Sequence, residues 1–431
     1  MKHLTKLGVG RSVCLTLAVF ALVVPAYSAD HSNTDHSSSE VNSVADMIQK
    51  GRAYVNFRYR YEHVDQDGIS SNAKASTLRS RLGYETAEYM GFQALLEAED
   101  VQAIGSDEYN STVNGRTTFP VVADPEGTEV NQAYLTYSGV PDTKVLGGRH
   151  ALKLDNLRFV GDVGWRQNNQ THDGVTLTNA SIEDLRLFYG YSASINRIFG
   201  EDSGMGEFDS NVHLFNIHYG GWDIADLTAY AYLMDFDEAP GASTSTFGGR
   251  VDGSHDLSDD LTLGYDLEYA FQQDYEDNPV SYDVNYYRVE PSLAMAGFTL
   301  AGGYELLGSD DGTASFSTPL ATLHKWNGWA DKFLSTPANG LIDFYGSLAY
   351  KVSGAHEWID GLVLKAIFHD FSADEGSADY GTEWNFLAKK KIDDNYAVLV
   401  KYASYDAEDF ATDTEKLMLQ VTASFKQLLG S

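Results

Sequence analysis

The sequence of 431 residues contains one cysteine, Cys14, and only nine prolines. A single cysteine cannot form an internal disulfide, so a small fold held by disulfide bridges is excluded. Beyond residue 28 there is no run of roughly 18 apolar residues, which excludes a protein that crosses a membrane with helices. Basic residues are also scarce, 30 against 62 acidic ones, and the net charge of −32 excludes a nucleic-acid-binding surface.

The first 28 residues have the features of a Sec-type signal peptide, with basic residues at Lys2, Lys6 and Arg11. The apolar stretch 13–24 is too short to span a bilayer, and Ala26 and Ser28 place small residues at the −3 and −1 sites of a cleavage point. A lipoprotein signal built on Cys14 is the alternative. It is disfavoured because Cys14 precedes most of the apolar stretch, whereas the lipid-modified cysteine of a lipoprotein follows that stretch. Cleavage would leave no thiolate to bind a metal.

Composition after the signal peptide favours strands. The chain has 27 Tyr, 21 Phe and 39 Gly, which suits strands with aromatic ends and tight turns. Cleavage would remove three basic and no acidic residues, taking the net charge from −32 to −35. This acidic excess must face water, in loops or in a lumen. Two classes therefore remain: a soluble periplasmic or extracellular protein, and a transmembrane β-barrel, whose signal per strand is weak.

Alternation of apolar and polar residues follows a polar leader, residues 29–52, which includes a short helical pattern from Val44 to Gly51. In the first strand Val55, Phe57, Tyr59 and Tyr61 fall on one face and Arg58, Arg60 and Glu62 on the other. The clearest alternation covers residues 262–271, with one face formed by Leu263, Tyr265, Leu267, Tyr269 and Phe271. Because side chains alternate across a strand, this pattern predicts one face toward lipid and one toward water.

The pattern predicts an all-β protein: a transmembrane antiparallel up-and-down β-barrel of about 18 strands over residues 53–425, with a C-terminal tail at 426–431. The strands are expected to begin near residues 53, 76, 91, 128, 143, 172, 184, 211, 224, 245, 261, 283, 297, 341, 361, 379, 394 and 413.

Connections between these strands alternate in length. Even-numbered ones are turn-sized, as at 139–142, 220–223, 294–296 and 393–394, whereas several odd-numbered ones are long, near 101–127, 150–171, 193–210 and 307–340. Bacterial barrels have short periplasmic turns and longer extracellular loops, so both termini are expected in the periplasm. The long connections also hold acidic pairs, among them Asp107 and Glu108, Glu201 and Asp202, Asp310 and Asp311, and Asp406 with Glu408 and Asp409.

The alternation assigns several basic residues to the inner wall of the barrel. Arg58, Arg60, Arg79 and Arg81 lie on neighbouring strands and are expected to form one basic patch, with Arg149 and Arg186 elsewhere on the wall. Guanidinium groups bind carboxylates through paired hydrogen bonds, so the patch suits an anionic solute. The alternative is that these arginines pair with inward glutamates and stiffen the wall.

Signals for an enzyme are weak. No Gly-x-Ser-x-Gly motif occurs, and His213, His218, His324 and His369 lack the spacing of metal ligands. Neither a catalytic site nor a cofactor is predicted. The one cation that the acidic loops could bind is calcium, and only weakly.

Two long connections carry distinctive motifs. Residues 147–173 read GGRHALKLDNLRFVGDVGWRQNNQTHD, and residues 316–333 read FSTPLATLHKWNGWADKF. Together with residues 58–62 and 124–132 they resemble the alginate-export porin family, over about residues 51–425. The resemblance implies an eighteen-stranded monomeric barrel with loops folded into an arginine-lined lumen that conducts an anionic uronate polymer. The candidate lumen residues are then Arg58, Arg60, Arg79, Arg81, Arg149, Arg158, Arg166 and Arg186, whereas Asp155, Asn156, Asn168 and Asp173 are expected to hold the third loop together.

The leading hypothesis is therefore a channel in the outer membrane of a Gram-negative bacterium that passes anionic saccharides such as alginate or its oligosaccharides. Its expected partners are the solute and outer-membrane lipid, without nucleic acid, and it is expected to be monomeric. One alternative is a general porin or one for uptake of small organic acids. Another is a surface scaffold barrel with acidic, cation-binding loops. A barrel-embedded hydrolase is disfavoured because no suitable pair of Ser and His is evident.

Overall fold

The computed structural model describes residues 41–428, so the predicted signal peptide and the last three residues lie outside the described part of the chain. The described part begins with a helix, α1, from Val44 to Gln49, whose first turn is capped by the Ser43 side chain, 3.1 Å from the Asp46 amide. None of the described helices is long and apolar enough to cross a membrane.

Twenty strands follow. They are Arg52–Gln66 (β1), Ala73–Glu85 (β2), Phe92–Glu108 (β3), Gly127–Val140 (β4), Thr143–His150 (β5), Thr171–Ile182 (β6), Leu185–Asn196 (β7), Glu207–Trp222 (β8), Ala225–Phe236 (β9), Thr244–Ser258 (β10), Leu261–Asp274 (β11), Asp283–Met295 (β12), Phe298–Leu307 (β13), Ser309–Asp310 (β14), Ala314–Ser315 (β15), Leu341–Lys351 (β16), Val363–Ser372 (β17), Asp379–Lys391 (β18), Tyr396–Ala407 (β19) and Thr414–Leu428 (β20). Two short 3₁₀ helices cover Pro240–Ala242 and Leu323–Lys325.

Eighteen of these strands form one closed antiparallel barrel, while β14 and β15 form a separate two-stranded hairpin. Each barrel strand pairs with the next one along the chain, and β1 pairs with β20 in a register that joins Arg52 to Leu428. The predicted fold and strand number are confirmed. The largest difference in a strand start is at β8, which begins at Glu207 where the alternation predicts residue 211.

The two faces of the strands differ as predicted. In β1 the side chain of Phe57 is 39% exposed on the outer surface, whereas Arg60 is 1% exposed inside the barrel. The same contrast recurs in β11, where outward Leu267 and Tyr269 flank the buried Glu268. An apolar outer band and a polar interior are typical of barrels that face lipid on one side and water on the other.

The two ends of the barrel differ, and we call them the short-turn end and the long-loop end. Connections at the short-turn end are mostly brief, such as 141–142 and 296–297, but the connection 352–362 is a longer exception. The long-loop end carries the long connections 109–126, 151–170, 197–206 and 308–340 and five shorter ones. We call residues 151–170 the third loop and residues 308–340 the seventh loop.

Some predicted boundaries need correction. Asp107 and Glu108 end strand β3, and Asp406 lies in β19, so these acidic residues extend the wall and are not in loops. The last strand continues to Leu428, beyond the predicted end at Phe425, because residues 426 to 428 keep their ladder to residues 52 to 54 of β1.

An arginine on the outer band should destabilise the barrel. Leu267 lies mid-strand between Val251 and Val289 of the neighbouring strands. We expect Leu267→Arg to cost about 2–4 kcal/mol, because the guanidinium would enter the hydrocarbon region. The measurement is the urea midpoint of unfolding in lipid vesicles. The matched control is Ser292→Arg, on the water-facing side of β12, and equal losses for both variants would contradict the assigned faces.

Candidate functional site

The third and seventh loops fold into the barrel and pack against each other. The Gly161 amide donates to the Leu320 carbonyl at 2.8 Å, and the Thr322 amide donates to the Leu157 carbonyl at 3.1 Å. Phe159 lies at the centre of this contact, with its ring 5.8 Å from that of Phe316. The paired loops therefore form one internal layer across the lumen.

The conformation of these loops is specified by close packing at two glycines and includes several residues with a strained backbone. A Cβ atom at Gly161 would lie 2.2 Å from the Thr322 Oγ1, and one at Gly328 would lie 2.2 Å from the Glu383 Oε2. Val163 adopts a φ of 49°, which is costly for a β-branched residue. Such conformations persist only where the surrounding contacts determine them, so the loops have a specified structure.

Arginines of the first two strands bind the third loop from the inner wall of the barrel. The Arg58 guanidinium donates to the Gly164 carbonyl at 2.7 Å and the Gln167 side chain at 2.9 Å, and it also contacts the Arg166 carbonyl. Arg79 donates to the Gln167 carbonyl at 3.4 Å. These two arginines are buried beneath the loop and bind its backbone.

A buried ionic network joins the loops to the wall. Arg60 lies 3.3 Å from Asp124, and Arg166 lies 3.4 Å from Glu62, 3.8 Å from Asp124 and 3.5 Å from Asp331. Burial of Asp124 opposes ionisation, but Arg166 and Arg60 outweigh it and lower the pKa of that carboxyl. The network is therefore an array of paired charges.

A second network holds the seventh loop. Arg158 of the third loop lies 2.7 Å from Glu305 on β13 and donates to Asn327 at 3.0 Å. The Asn327 amide in turn donates to Asp343 on β16 at 3.1 Å, and Asp343 accepts from His369 at 2.9 Å. Arg158 thus connects both loops to the barrel wall.

The predicted lumen arginines therefore occupy three environments. Arg58, Arg60, Arg79, Arg158 and Arg166 are buried between the loops and the wall, each at most 7% exposed. Arg81 and Arg149 are partly exposed and pair with carboxylates, while Arg186 is exposed near the short-turn end. For most of these residues the geometry matches the alternative, in which inward acids pair with the arginines.

The polar residues expected to hold the third loop do contact its surroundings. Asp155 accepts from Asn216 at 2.7 Å, and Asn156 donates to Glu268 at 2.8 Å. Asn168 donates to the Ile198 carbonyl at 3.3 Å, but Asp173 lies in β6, where it pairs with Arg149 at 2.8 Å. Burial raises the pKa of Asp155.

The centre of the layer is an aromatic and cationic cluster. The Trp165 ring stacks on His324 at a centroid distance of 4.3 Å. The Lys401 ammonium lies 4.2 Å from the Trp165 ring, 4.1 Å from the Trp329 ring and 3.0 Å from the His324 Nε2. We call Trp165, His324, Trp329 and Lys401 the constriction cluster.

Titratable groups of the seventh loop complete this cluster. His324 Nδ1 lies 2.7 Å from Asp331, which also accepts from Lys416 at 2.7 Å. Burial holds the pKa of His324 well below its usual range, and the Lys401 charge adds to this effect, so the ring is neutral. Burial opposes ionisation of Asp331, but the neighbouring His324, Lys416 and Arg166 keep its pKa well below the usual range.

Two cavities lie on either side of the constriction cluster, and His324 lines both. The inner cavity, of about 670 Å³, is lined by three tryptophans and by charged residues that include Arg288 and Lys401. The outer cavity, of about 620 Å³ toward the long-loop end, is mainly apolar, with Lys332 and Arg166 among its basic residues. Each volume suits one small molecule.

Sequence reasoning missed most of this cluster. The alternation places Lys401 on the inner wall, but it does not distinguish Lys401 from other inward bases. Trp165 and Trp329 belong to the two distinctive loop motifs. The motifs indicate that both loops have a specific role, but they do not predict that the aromatic rings of the two loops come together. Lys416 and Asp331 meet only because the seventh loop reaches the last strand.

Within residues 41–428, no group of three or more His, Cys, Asp and Glu side chains has the geometry to hold a metal ion.

No protein-family model matches the chain, and no curated protein matches it. Solved structures do match its fold. The chain is 17% identical to OccAB2 of Acinetobacter baumannii, with a TM-score of 0.70, over 88% of this chain and 99% of that one. It is 14% identical to OccK5 (OpdH) of Pseudomonas aeruginosa, with a TM-score of 0.66, over 89% and 100%. It is 12% identical to P. aeruginosa OpdK, solved with vanillate, with a TM-score of 0.68, over 88% and 100%.

At these identities the likeness shows a shared fold. The chain has the closed 18-strand barrel of Gram-negative outer-membrane porins of the Occ/Opd type, which are transport channels. No family model supports the resemblance to the alginate-export family that the loop motifs imply.

Loss of an arginine anchor should loosen the third loop. We expect Arg58→Met to raise single-channel conductance and increase current noise, because the carbonyls of Gly164 and Arg166 would lose a buried donor. Planar-bilayer recording measures both quantities. The matched control is Arg186→Met, which removes an exposed lumen arginine and should leave noise unchanged. Unaltered noise in Arg58→Met would argue against the anchoring role.

The contribution of Lys332 to ion selectivity should fall as the solution becomes alkaline. Burial lowers the pKa of Lys332 to about 8, so this side chain is charged at neutral pH and loses its proton as the pH rises. We expect the reversal potential in a salt gradient to shift toward cation selectivity between roughly pH 7 and pH 9. In the Lys332→Arg variant the shift should be smaller, because a guanidinium stays protonated. An identical shift in this variant would assign the titration to another group.

Proposed function

We propose that this chain is an outer-membrane channel for uptake of small organic acids. The observation that carries the proposal is the setting of Lys401. Within the described residues, no carboxylate oxygen lies within 4.0 Å of its ammonium, which instead contacts the neutral His324 and two tryptophan rings. Other buried cations of the layer, such as Arg166 and Lys416, have carboxylate partners.

A small acid would supply the missing charge. Its carboxylate would accept from Lys401 in a largely desolvated setting, where a charge-assisted hydrogen bond is strong. Its apolar part would contact Trp165 and Trp329. The inner cavity next to Lys401 has the volume of one such molecule. The solved complex of OpdK with vanillate, an aromatic acid, adds support through a barrel of the same fold.

A short uronate oligosaccharide is the second candidate. The inner cavity is lined by Trp165, Trp326 and Trp329, and flat indole rings give an apolar surface for one face of a sugar ring. A long polymer is less favoured, because the two cavities meet at the constriction cluster and each has the volume of a single small solute.

Removal of the Lys401 charge should weaken binding of small acids. We expect benzoate to reduce the small-ion current of the wild-type channel, and Lys401→Met to need about tenfold more benzoate for the same reduction. The reason is that a hydrogen bond to a charged group contributes roughly 1.5–3 kcal/mol. The measurement is single-channel recording with benzoate titrated on the long-loop side.

Two comparisons make this experiment specific. Lys389→Met removes an inward base that lines neither cavity and should leave benzoate affinity unchanged. A uronate trisaccharide tested in the same way separates the two candidates. Stronger block by the trisaccharide would favour the saccharide channel, and no block by benzoate in the wild type would overturn the organic-acid proposal.

A further inference from the structure

The lipid-facing surface of the barrel has an apolar cleft across strands β16 to β19. Its volume is about 450 Å³. Ala366 and Ala388 form the floor, since their short side chains leave space between the larger Tyr350, Phe386 and Tyr402. The register joins Tyr350 to Leu364, Leu364 to Ala388 and Ala388 to Val400, so the cleft crosses four adjacent strands.

The cleft ends near an unusual connection at the short-turn end. This connection, residues 352–362, is longer than the others at that end. Trp358 is 76% exposed on it, and Ile359 is 48% exposed. Tryptophan is enriched where a membrane protein passes through the headgroup region, so this turn is suited to lie at the membrane surface.

One lysine connects the cleft with this turn. Lys390 follows Ala388 by two residues on the same face of β18, which places it about 7 Å farther along the strand. Its ammonium donates to the Glu357 carbonyl at 3.0 Å and to the Asp360 carbonyl at 2.6 Å. An ammonium has three donors, so one N–H is left to bind an oxygen of a ligand.

The charges around Lys390 have mixed sign. The residues that hold it, Glu357 and Asp360, also carry exposed carboxylates on the same turn. A single lysine with two carboxylates matches a headgroup that carries both a phosphate and an ammonium. It does not favour a headgroup with negative charge alone, because the carboxylates would repel it.

We propose that the cleft and the turn 352–362 bind one molecule of phosphatidylethanolamine. An acyl chain lies in the cleft over Ala366 and Ala388, the phosphate accepts from Lys390, and the ammonium faces the carboxylates of Glu357 and Asp360. Trp358 packs beside the headgroup. The site lies outside the lumen, so it is separate from the solute path.

Native mass spectrometry of the intact barrel tests this proposal. The protein is extracted in a mild detergent, exchanged into mixed micelles with equal phosphatidylethanolamine and phosphatidylglycerol, and the retained lipid is counted. We expect the wild type to retain one phosphatidylethanolamine. In the double variant Ala366→Phe, Ala388→Phe we expect retention to fall at least about tenfold. The phenylalanine rings would fill the cleft, so several methylene groups of the acyl chain would lose their contact with the protein.

Matched variants separate the cleft from general effects. Ala229→Phe enlarges an exposed alanine on β9, far from the cleft in strand order, and should retain lipid like the wild type. Lys390→Gln should lower retention while leaving the conductance of the channel unchanged. Unchanged conductance of each variant in planar bilayers establishes that it has folded.

Three outcomes would overturn the proposal. Equal lipid retention by the wild type and by the double variant Ala366→Phe, Ala388→Phe would mean that the cleft holds only exchangeable membrane lipid. A preference for phosphatidylglycerol would contradict the assigned headgroup. A dimer that the double variant abolishes would assign the cleft to a second copy of the chain.

Discussion

Every backbone amide and carbonyl of a strand in the hydrocarbon region needs a hydrogen-bond partner, because no water is present to supply one. In this chain the requirement is met by closure: β1 pairs with both β2 and β20, so the barrel has no free edge. Closure also encloses an interior wide enough to admit two long loops. The loop layer and the constriction cluster both depend on that enclosed space.

Covering the inner wall with loops imposes a desolvation cost on its charged groups, and buried partners offset that cost. Inward arginines on β1 and β2 would face water in an open lumen, but the third loop covers them and removes that water. They are then stabilised by backbone carbonyls, as for Arg58, or by carboxylates, as for Arg60 with Asp124. Lys401 differs because its ammonium contacts aromatic rings and a neutral imidazole. That difference is why we propose Lys401, among many inward bases, as the group that binds a solute.

The fold could be predicted from the sequence because each strand carries its own signal. Alternation with period two needs only neighbouring residues, and the difference between turns and long loops gives the strand order. The same local signal places Arg58 and Arg60 on the inner wall. It cannot show that residues 164 to 167 return to cover them, because this contact joins positions more than a hundred residues apart. The layer between the two cavities is likewise a tertiary feature, formed by motifs that are distant in sequence.

The third loop and the seventh loop both contact the seam where the first and last strands meet. Arg60 of β1 donates to Gln420 of β20 and also contacts the Trp165 carbonyl, while Lys416 of β20 pairs with Asp331. These contacts require a strand that is synthesised last, so the loop layer cannot be complete until the barrel has closed. The layer across the lumen is thus completed by the same strand that closes the barrel.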